Sequence, residues 1–121
     1  MANLKDSMDK LAELDGFVGT CVVDSNSGMM LGSLGGGTAM NLEVAAAGNT
    51  EVVRAKRKTM ASLSLKDQIE DILITLGKQY HLIRPLEQKD GLFIYLVLDR
   101  AKGNLAMARH KLSEVEKGLS L

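Results

Sequence analysis

The segment LFIYLVL, from Leu92 to Leu98, is the longest uninterrupted apolar run in this chain. A strand that faces water on one side alternates polar and apolar residues, and this segment does not alternate. It is also far shorter than the about 20 residues that a membrane-spanning helix needs. The run therefore predicts a central strand of a sheet that is covered on both faces.

Three helices are predicted from apolar residues at helical spacing. The first begins after Asn3, the second runs from Asn41 to about Met60, and the third begins after Asn104. Asparagine is a favoured N-cap residue, which supports the starts of the first and third helices. Their stripes, apolar apart from Asn49 and Lys56, are Leu4, Met8, Leu11 and Leu14; Leu42, Ala45, Ala46, Asn49, Val52, Val53, Lys56 and Met60; and Leu105, Ala108, Leu112, Val115 and Leu119.

Five strands are predicted from β-forming residues bounded by turn residues. Turn sequences stand at Ser25–Gly28, at Gly77-Lys78 and at the Asp-Gly pair that ends with Gly91. The order α-β-β-α-β-β-β-α predicts one α+β domain over residues 1–121, with a single five-stranded antiparallel sheet. The predicted strands are Phe17–Asp24, Met29–Gly35, Ile69–Leu76, Gln79–Leu86 and Leu92–Asp99.

Composition excludes several classes of function. The 15 basic and 15 acidic side chains cancel, so no global charge favours nucleic acid or an anionic membrane. One cysteine rules out an internal disulfide framework, and the first residues lack the pattern of a secretory signal. We therefore expect a cytoplasmic protein that neither inserts into a membrane nor binds nucleic acid.

The glycine-rich segment LGSLGGGTAMN, from Leu31 to Asn41, raises the question of a phosphate loop. A Walker loop needs GxxxxGK[ST], but here Gly37 is followed by Thr38 and Ala39. The dinucleotide motif GxGxxG also fails, because Met40 stands where its third glycine belongs. We predict a flexible strand-to-helix connection and no bound cofactor.

The candidate nucleophiles and ligands are scattered. Cys21 lies between apolar residues in a predicted strand, which is typical of a buried filler. His81 and His110 stand alone, without the spacing of a metal pair or a nucleophile partner. The sequence predicts no catalytic or metal site.

The third predicted strand indicates self-association. Ile69–Leu76 contains neither the Pro nor the Lys that commonly protects a free sheet edge. Pairing with a second copy would cover it and would bring the small-sided second helices together, where Gly48 otherwise costs about 1 kcal/mol relative to Ala. We predict a homodimer built on this strand and on helix residues Asn41–Lys58. The predicted interface residues are Ile69, Asp71, Leu73, Thr75, Ala45, Gly48 and Val52.

The densest cluster of charge is RAKRK in the second helix. Arg54, Arg57 and Lys58 share one face by i, i+3, i+4 spacing, whereas Lys56 points elsewhere. Two interpretations stay open. The cations form either a solvated face close to the helix C-terminus or a docking patch for an acidic protein surface.

The order of elements resembles the Roadblock family, which includes a class of dynein light chains. The likeness spans Leu4 to Leu119 and is carried by GFVGTCVVDSNSGMMLG, AAAGNTEVVRAKRKTM, IEDILITLGKQYHLIRPL and GLFIYLVLDRAKGNLAMARHKL. It implies a profilin-like sheet with helices on both faces and dimers that join through their third strands. The short chain is similar to stand-alone bacterial members rather than to the eukaryotic dynein subunits.

The resemblance also implies a function. Family members have no active site of their own and act as scaffolds or regulators that bind partners, commonly small Ras-like GTPases, across the paired second helices. Arg54, Arg57 and Lys58 would lie on the helix that faces such a partner. The alternative is a small-ligand sensor, because profilin-like sheets also resemble sensory domains that hold a ligand between sheet and helix.

Overall fold

The predicted order of elements is confirmed by a computed structural model that describes residues 3–38, 40–86, 89 and 91–120. Within these ranges the chain forms three helices and one five-stranded antiparallel sheet. The elements are α1 Leu4–Ala12, β1 Phe17–Asp24, β2 Met29–Gly35, α2 Leu42–Ser62, β3 Ile72–Thr75, β4 Gln79–Pro85, β5 Leu92–Asp99 and α3 Leu105–Gly118.

The apolar strand β5 occupies the centre of the sheet, as its composition predicts. The strand order is β2-β1-β5-β4-β3, and every neighbouring pair is antiparallel. Residues Phe93 to Leu98 are at most 2% exposed. Helices α1 and α3 cover one face and α2 covers the other, each over its own apolar cluster. The first cluster is built around Leu11, Leu82, Ile94, Leu96, Leu98 and Leu112, and the second around Cys21, Val23, Ala46, Val53, Ile83, Phe93, Tyr95 and Val97.

All three helices begin at an asparagine whose side chain accepts a hydrogen bond from the first turn. The Asn3 Oδ1 accepts from the N–H of Asp6 at 2.8 Å, and Asn41 and Asn104 do the same for α2 and α3. These caps satisfy N–H groups that have no partner inside the helix. The predicted N-caps Asn3 and Asn104 are therefore confirmed.

The glycine-rich segment ends β2 and leads into α2, as predicted for a connection. Gly35, Gly36 and Gly37 have φ values of 80°, 80° and 55°. Three successive residues in the left-handed region are costly for any residue with a Cβ, so the run of glycines is a requirement of this turn.

Strand β3 is shorter than predicted: it runs from Ile72 to Thr75 instead of from Ile69 to Leu76, and most of the difference is at its start. The N–H of Leu76 donates to the carbonyl of Gln79, and hydrogen-bonded pairs in an antiparallel ladder recur at every second residue. After the Ile72–Ile83 pair, the next such pair would join Glu70 to Pro85. Pro85 has no N–H to donate, so the ladder ends.

The remaining differences from the predicted bounds are small. Helix α1 ends at Ala12, before the predicted apolar residue Leu14, and α2 extends to Ser62. Most of the predicted turn before Gly91, residues Glu87, Gln88 and Asp90, lies outside the described residues. No helix in the described ranges has the length and apolarity that crossing a bilayer requires.

Replacing Leu96 by Ala tests the central position of β5. Leu96 is fully buried, so we expect the free energy of unfolding to fall by about 2–5 kcal/mol through lost burial and the cavity left behind. Met107→Ala is the control, because Met107 is 54% exposed and a surface change there should stay within about 0.5 kcal/mol. Urea denaturation followed by circular dichroism measures both. Equal losses in the two variants would contradict the assignment.

Candidate functional site

The most open part of the sheet lies beside α2, above β3 and β4. Helix α2 buries the residues that face the sheet, among them Ala46 and Val53. One flank of the helix, with Ala45, Gly48 and Val52, is only partly covered, and a Cβ added at Gly48 would meet nothing within 4 Å. The half-buried side chains next to it on the same sheet face are Ile72, Ile74 and His81. We call this set of six residues the open flank.

The free edge of β3 borders the open flank. Because Ile72, Ile74 and Leu76 direct their backbone groups to β4, Leu73 and Thr75 direct their N–H and C=O groups away from the sheet. No other described strand pairs with this edge. It is therefore a backbone surface that a further strand would complete.

The side chains of the predicted strand residues lie in different places. Leu73 packs with the cluster under α1 and α3, on the opposite sheet face from the open flank, and Thr75 is exposed. Ile69 and Asp71 line a groove of about 970 Å³ at this edge, and Val52 lines the same groove. The structure thus brings Ile69 and Asp71 near Val52 and separates them from Leu73.

An ion pair fastens the segment that precedes β3. The guanidinium of Arg109, on α3, donates to both carboxylate oxygens of Asp71 at 2.9 and 3.1 Å. The Asp71 side chain is only 15% exposed, and two parallel hydrogen bonds fix its orientation. No local pattern in the sequence indicates Arg109, because the two residues are 38 positions apart.

Arg54, one of the cationic residues of α2, lies on the flank opposite the open flank, whereas Lys56 lines the groove at the β3 edge together with Val52. Arg54 is about 200° from Val52 around the helix axis, since successive residues are about 100° apart. Arg54 donates to the carbonyl of Asn26, in the β1–β2 turn, at 2.6 Å. Arg57 and Lys58 are exposed and form no ion pair with any described residue. Of the three predicted contact residues, only these two are unconstrained.

His81 and Tyr95 form a polar pair at the open flank. The Tyr95 hydroxyl lies 2.8 Å from His81 Nδ1, and His81 Nε2 lies 2.9 Å from Gln79 Oε1. Because the Gln79 oxygen only accepts, a neutral His81 carries its proton on Nε2 and accepts from Tyr95. Burial lowers the pKa of His81 and raises the pKa of Tyr95. Sequence reasoning missed this pair, which only the β4–β5 register brings together.

The other candidate catalytic groups are isolated or inert. Cys21 is fully buried, and burial raises the pKa of its thiol to about 12, so it carries no thiolate at neutral pH. His110 lies on α3 beside Glu114, 3.2 Å away, on the opposite side of the sheet from His81. In the part of the chain that the structure describes, no group of three His, Cys, Asp or Glu residues could hold a metal ion.

Comparison with solved structures identifies the fold. A Roadblock/LC7 domain from Streptomyces avermitilis superimposes with a TM-score of 0.82 at 11% sequence identity, over 96% of this chain and 93% of that one. The chain has the Roadblock/LC7 fold. MglB from Myxococcus xanthus gives a TM-score of 0.81 at 13% identity, over 93% of this chain and 80% of that one.

A further structure of MglB, with a tetrameric arrangement, gives a TM-score of 0.77 at 13% identity and covers 93% of this chain and 82% of that one. No protein-family model matches the sequence, and no curated protein matches it. The resemblance found in the sequence is therefore confirmed at the level of the Roadblock/LC7 fold.

The depressed pKa of His81 predicts a pH dependence of stability. As pH falls through 6.5, the value for the unfolded chain, the unfolded state takes up a proton that the folded state resists. The free energy of unfolding should therefore decrease from neutral pH toward pH 5, and His81→Gln should reduce the decrease. His110→Gln is the control, because its side chain is 68% exposed. Urea titrations at several pH values measure the free energy of unfolding. An equal change with pH in the His81→Gln and His110→Gln variants would refute the prediction.

Proposed function

We propose that this chain is a non-enzymatic, homodimeric regulator or scaffold that binds a small Ras-like GTPase. The observation that carries the proposal is the open flank beside the unpaired edge of β3. A second copy related by a two-fold axis would cover the open flank and the β3 edge at once, because a two-fold interface is formed by the same patch on each subunit.

Backbone geometry supports pairing through β3. Leu73 and Thr75 each offer one N–H and one C=O. Two antiparallel copies can therefore pair Leu73 of one subunit with Thr75 of the other, and Thr75 of the first with Leu73 of the second. The Ile74 side chains then meet near the two-fold axis, on the sheet face that carries the open flank. Gly48 allows the two α2 helices to approach closely, which accounts for a glycine inside a helix.

The GTPase part of the proposal rests on the fold and on the resemblance to Roadblock proteins. The neighbour MglB has a structure with a tetrameric arrangement, which supports self-association as a property of this fold. Arg57 and Lys58 are the side chains of the basic group that a partner can engage without disturbing the chain's own contacts. Arg54 instead holds the β1–β2 turn.

The alternative, a small-ligand sensor, would hold a ligand between sheet and helix, and the groove at the β3 edge, lined by Val52 of α2 and Ile72 of β3, is one such place. That groove is lined by both cations and carboxylates, and it opens where a second copy is expected. We therefore assign it to the subunit interface in this proposal.

Thr75→Pro tests the dimer. Proline removes an N–H that points away from β4, so the chain should keep its fold while dimerisation is lost. Thr75→Val keeps the N–H and should stay dimeric. Sedimentation equilibrium at tens of micromolar measures the mass, and circular dichroism verifies folding. A monomeric wild-type protein, or a dimeric Thr75→Pro variant, would refute pairing through β3.

Gly48→Leu gives a second test that does not rely on proline. The position faces open space in one chain, so the helix should gain about 0.5–1 kcal/mol from lost glycine flexibility. The bulkier side chain should nevertheless weaken the dimer by keeping the helices apart. Undiminished dimerisation would show that α2 does not pack against its partner copy.

Arg57→Glu combined with Lys58→Glu tests partner binding. The partner is first recovered from a lysate of the source organism with GTPγS or GDP added, and is named by mass spectrometry. We expect the double variant to bind it about tenfold more weakly while remaining a dimer. Lys102→Glu combined with Lys117→Glu is the matched control at exposed positions away from α2. Recovery of no GTPase in either nucleotide state would argue against the proposed function.

A further inference from the structure

The sheet has a second free edge, strand β2, at the end opposite β3. The N–H of Gly36 donates to the carbonyl of Val18 at 2.8 Å, and the β1–β2 register continues from this pair. Backbone groups of an antiparallel strand alternate in direction, so Leu34 and Gly32 bond to β1. Ser33 therefore directs its N–H and C=O away from the sheet, and Gly35 directs its N–H the same way.

The side chains of β2 do not protect this edge. Proteins commonly protect edges with charged residues or proline, and the sequence MMLGSLG contains neither. A register shift opposite Val22 and Val23 disrupts only the beginning of the strand, and residues 32–35 pair regularly with β1. The unprotected part of the edge is therefore Gly32–Gly35, where the two residues with outward backbone groups, Ser33 and Gly35, are small and leave the backbone accessible.

A groove of about 530 Å³ runs beside this edge, between β2 and the start of α2. Its apolar lining comes from Met30, Met40 and Leu42, and its charge comes from Glu43. Glu43 is exposed, and within the described ranges its carboxylate forms no ion pair. A strand added at β2 would direct every second side chain toward this groove.

We propose that the edge of β2 binds an extended segment of a partner protein as an additional strand. Main-chain hydrogen bonds to Ser33 and Gly35 supply affinity, and alternate apolar side chains in the groove supply specificity. A lysine or arginine of the segment pairs with Glu43. Strand β2 itself supplies no cation to meet Glu43, which favours a partner of different sequence over a second copy.

Phage-displayed random peptides of about ten residues, the upper range of a normal strand length, provide the probe. Selected peptides should alternate apolar residues, include a basic residue and bind with micromolar Kd. Hydrogen exchange followed by NMR should show slower exchange at the Ser33 and Gly35 amides when the peptide is bound. Protection at Leu73 and Thr75 instead would place the peptide at the other edge and overturn the proposal.

Matched variants separate backbone pairing from other contacts. Ser33→Pro removes an outward N–H without breaking a hydrogen bond to β1, and it should raise the Kd of the peptide at least about tenfold. Ser33→Val keeps the N–H and should retain binding. Glu43→Gln should weaken the binding of peptides that contain a basic residue more than it weakens the binding of the same peptides with that residue replaced. This test remains available if Ser33→Pro does not fold.

Three results would overturn the proposal. The first is a library that yields no binding peptide. The second is a folded Ser33→Pro variant that binds as tightly as the wild type. The third is concentration-dependent protection of Ser33 in the free protein, which would show that a second copy occupies the edge. The Thr75→Pro variant should bind the peptide normally, so the failure of the proposed dimer and the failure of this site are distinguishable.

Discussion

The burial of β5 on both faces is the constraint from which the rest of the structure follows. Its side chains from Phe93 to Leu98 are almost fully excluded from water, so both faces of the sheet need cover. Among the described elements, two helices cover one face and α2 alone covers the other. Five strands spaced about 4.8 Å apart span about 19 Å, whereas one helix is about 10 Å wide. A single helix therefore leaves a strip of the sheet face that it covers open.

Pro85 determines what borders that strip. Because Pro85 lacks an N–H, the β3–β4 ladder extends no further toward the N-terminus than Ile72, and the residues before Ile72 leave the sheet. The Asp71–Arg109 pair fastens that segment to α3 instead. The result is a four-residue edge strand beside a partly covered helix. An edge and an apolar strip that adjoin each other can be covered by one partner surface, which is the geometry that a two-fold dimer provides.

Local patterns in the sequence predicted the bounds of β1, β2 and β5 correctly, because each of these strands ends at turn residues or at a change of polarity. The start of β3 was predicted wrongly, because it depends on Pro85 lying opposite Glu70 in the β3–β4 register, where Pro85 has no N–H to continue the ladder. The contact of Arg54 with Asn26 could not be predicted from local patterns either, since 28 positions separate the two residues. Periodicity predicts which residues share a strand face, but the fold decides which helix covers that face.

The two free edges differ in the partner that they favour. The edge of β3 adjoins a helix flank with a glycine, which suits a second copy of the same surface. The edge of β2 adjoins a groove with the carboxylate of Glu43, which forms no ion pair within the described ranges and suits a basic segment of another protein. A dimer joined through β3 would carry one β2 edge at each end of a continuous sheet. A partner with two such segments would then bind more tightly than a partner with one, provided that its linker spans the whole dimer.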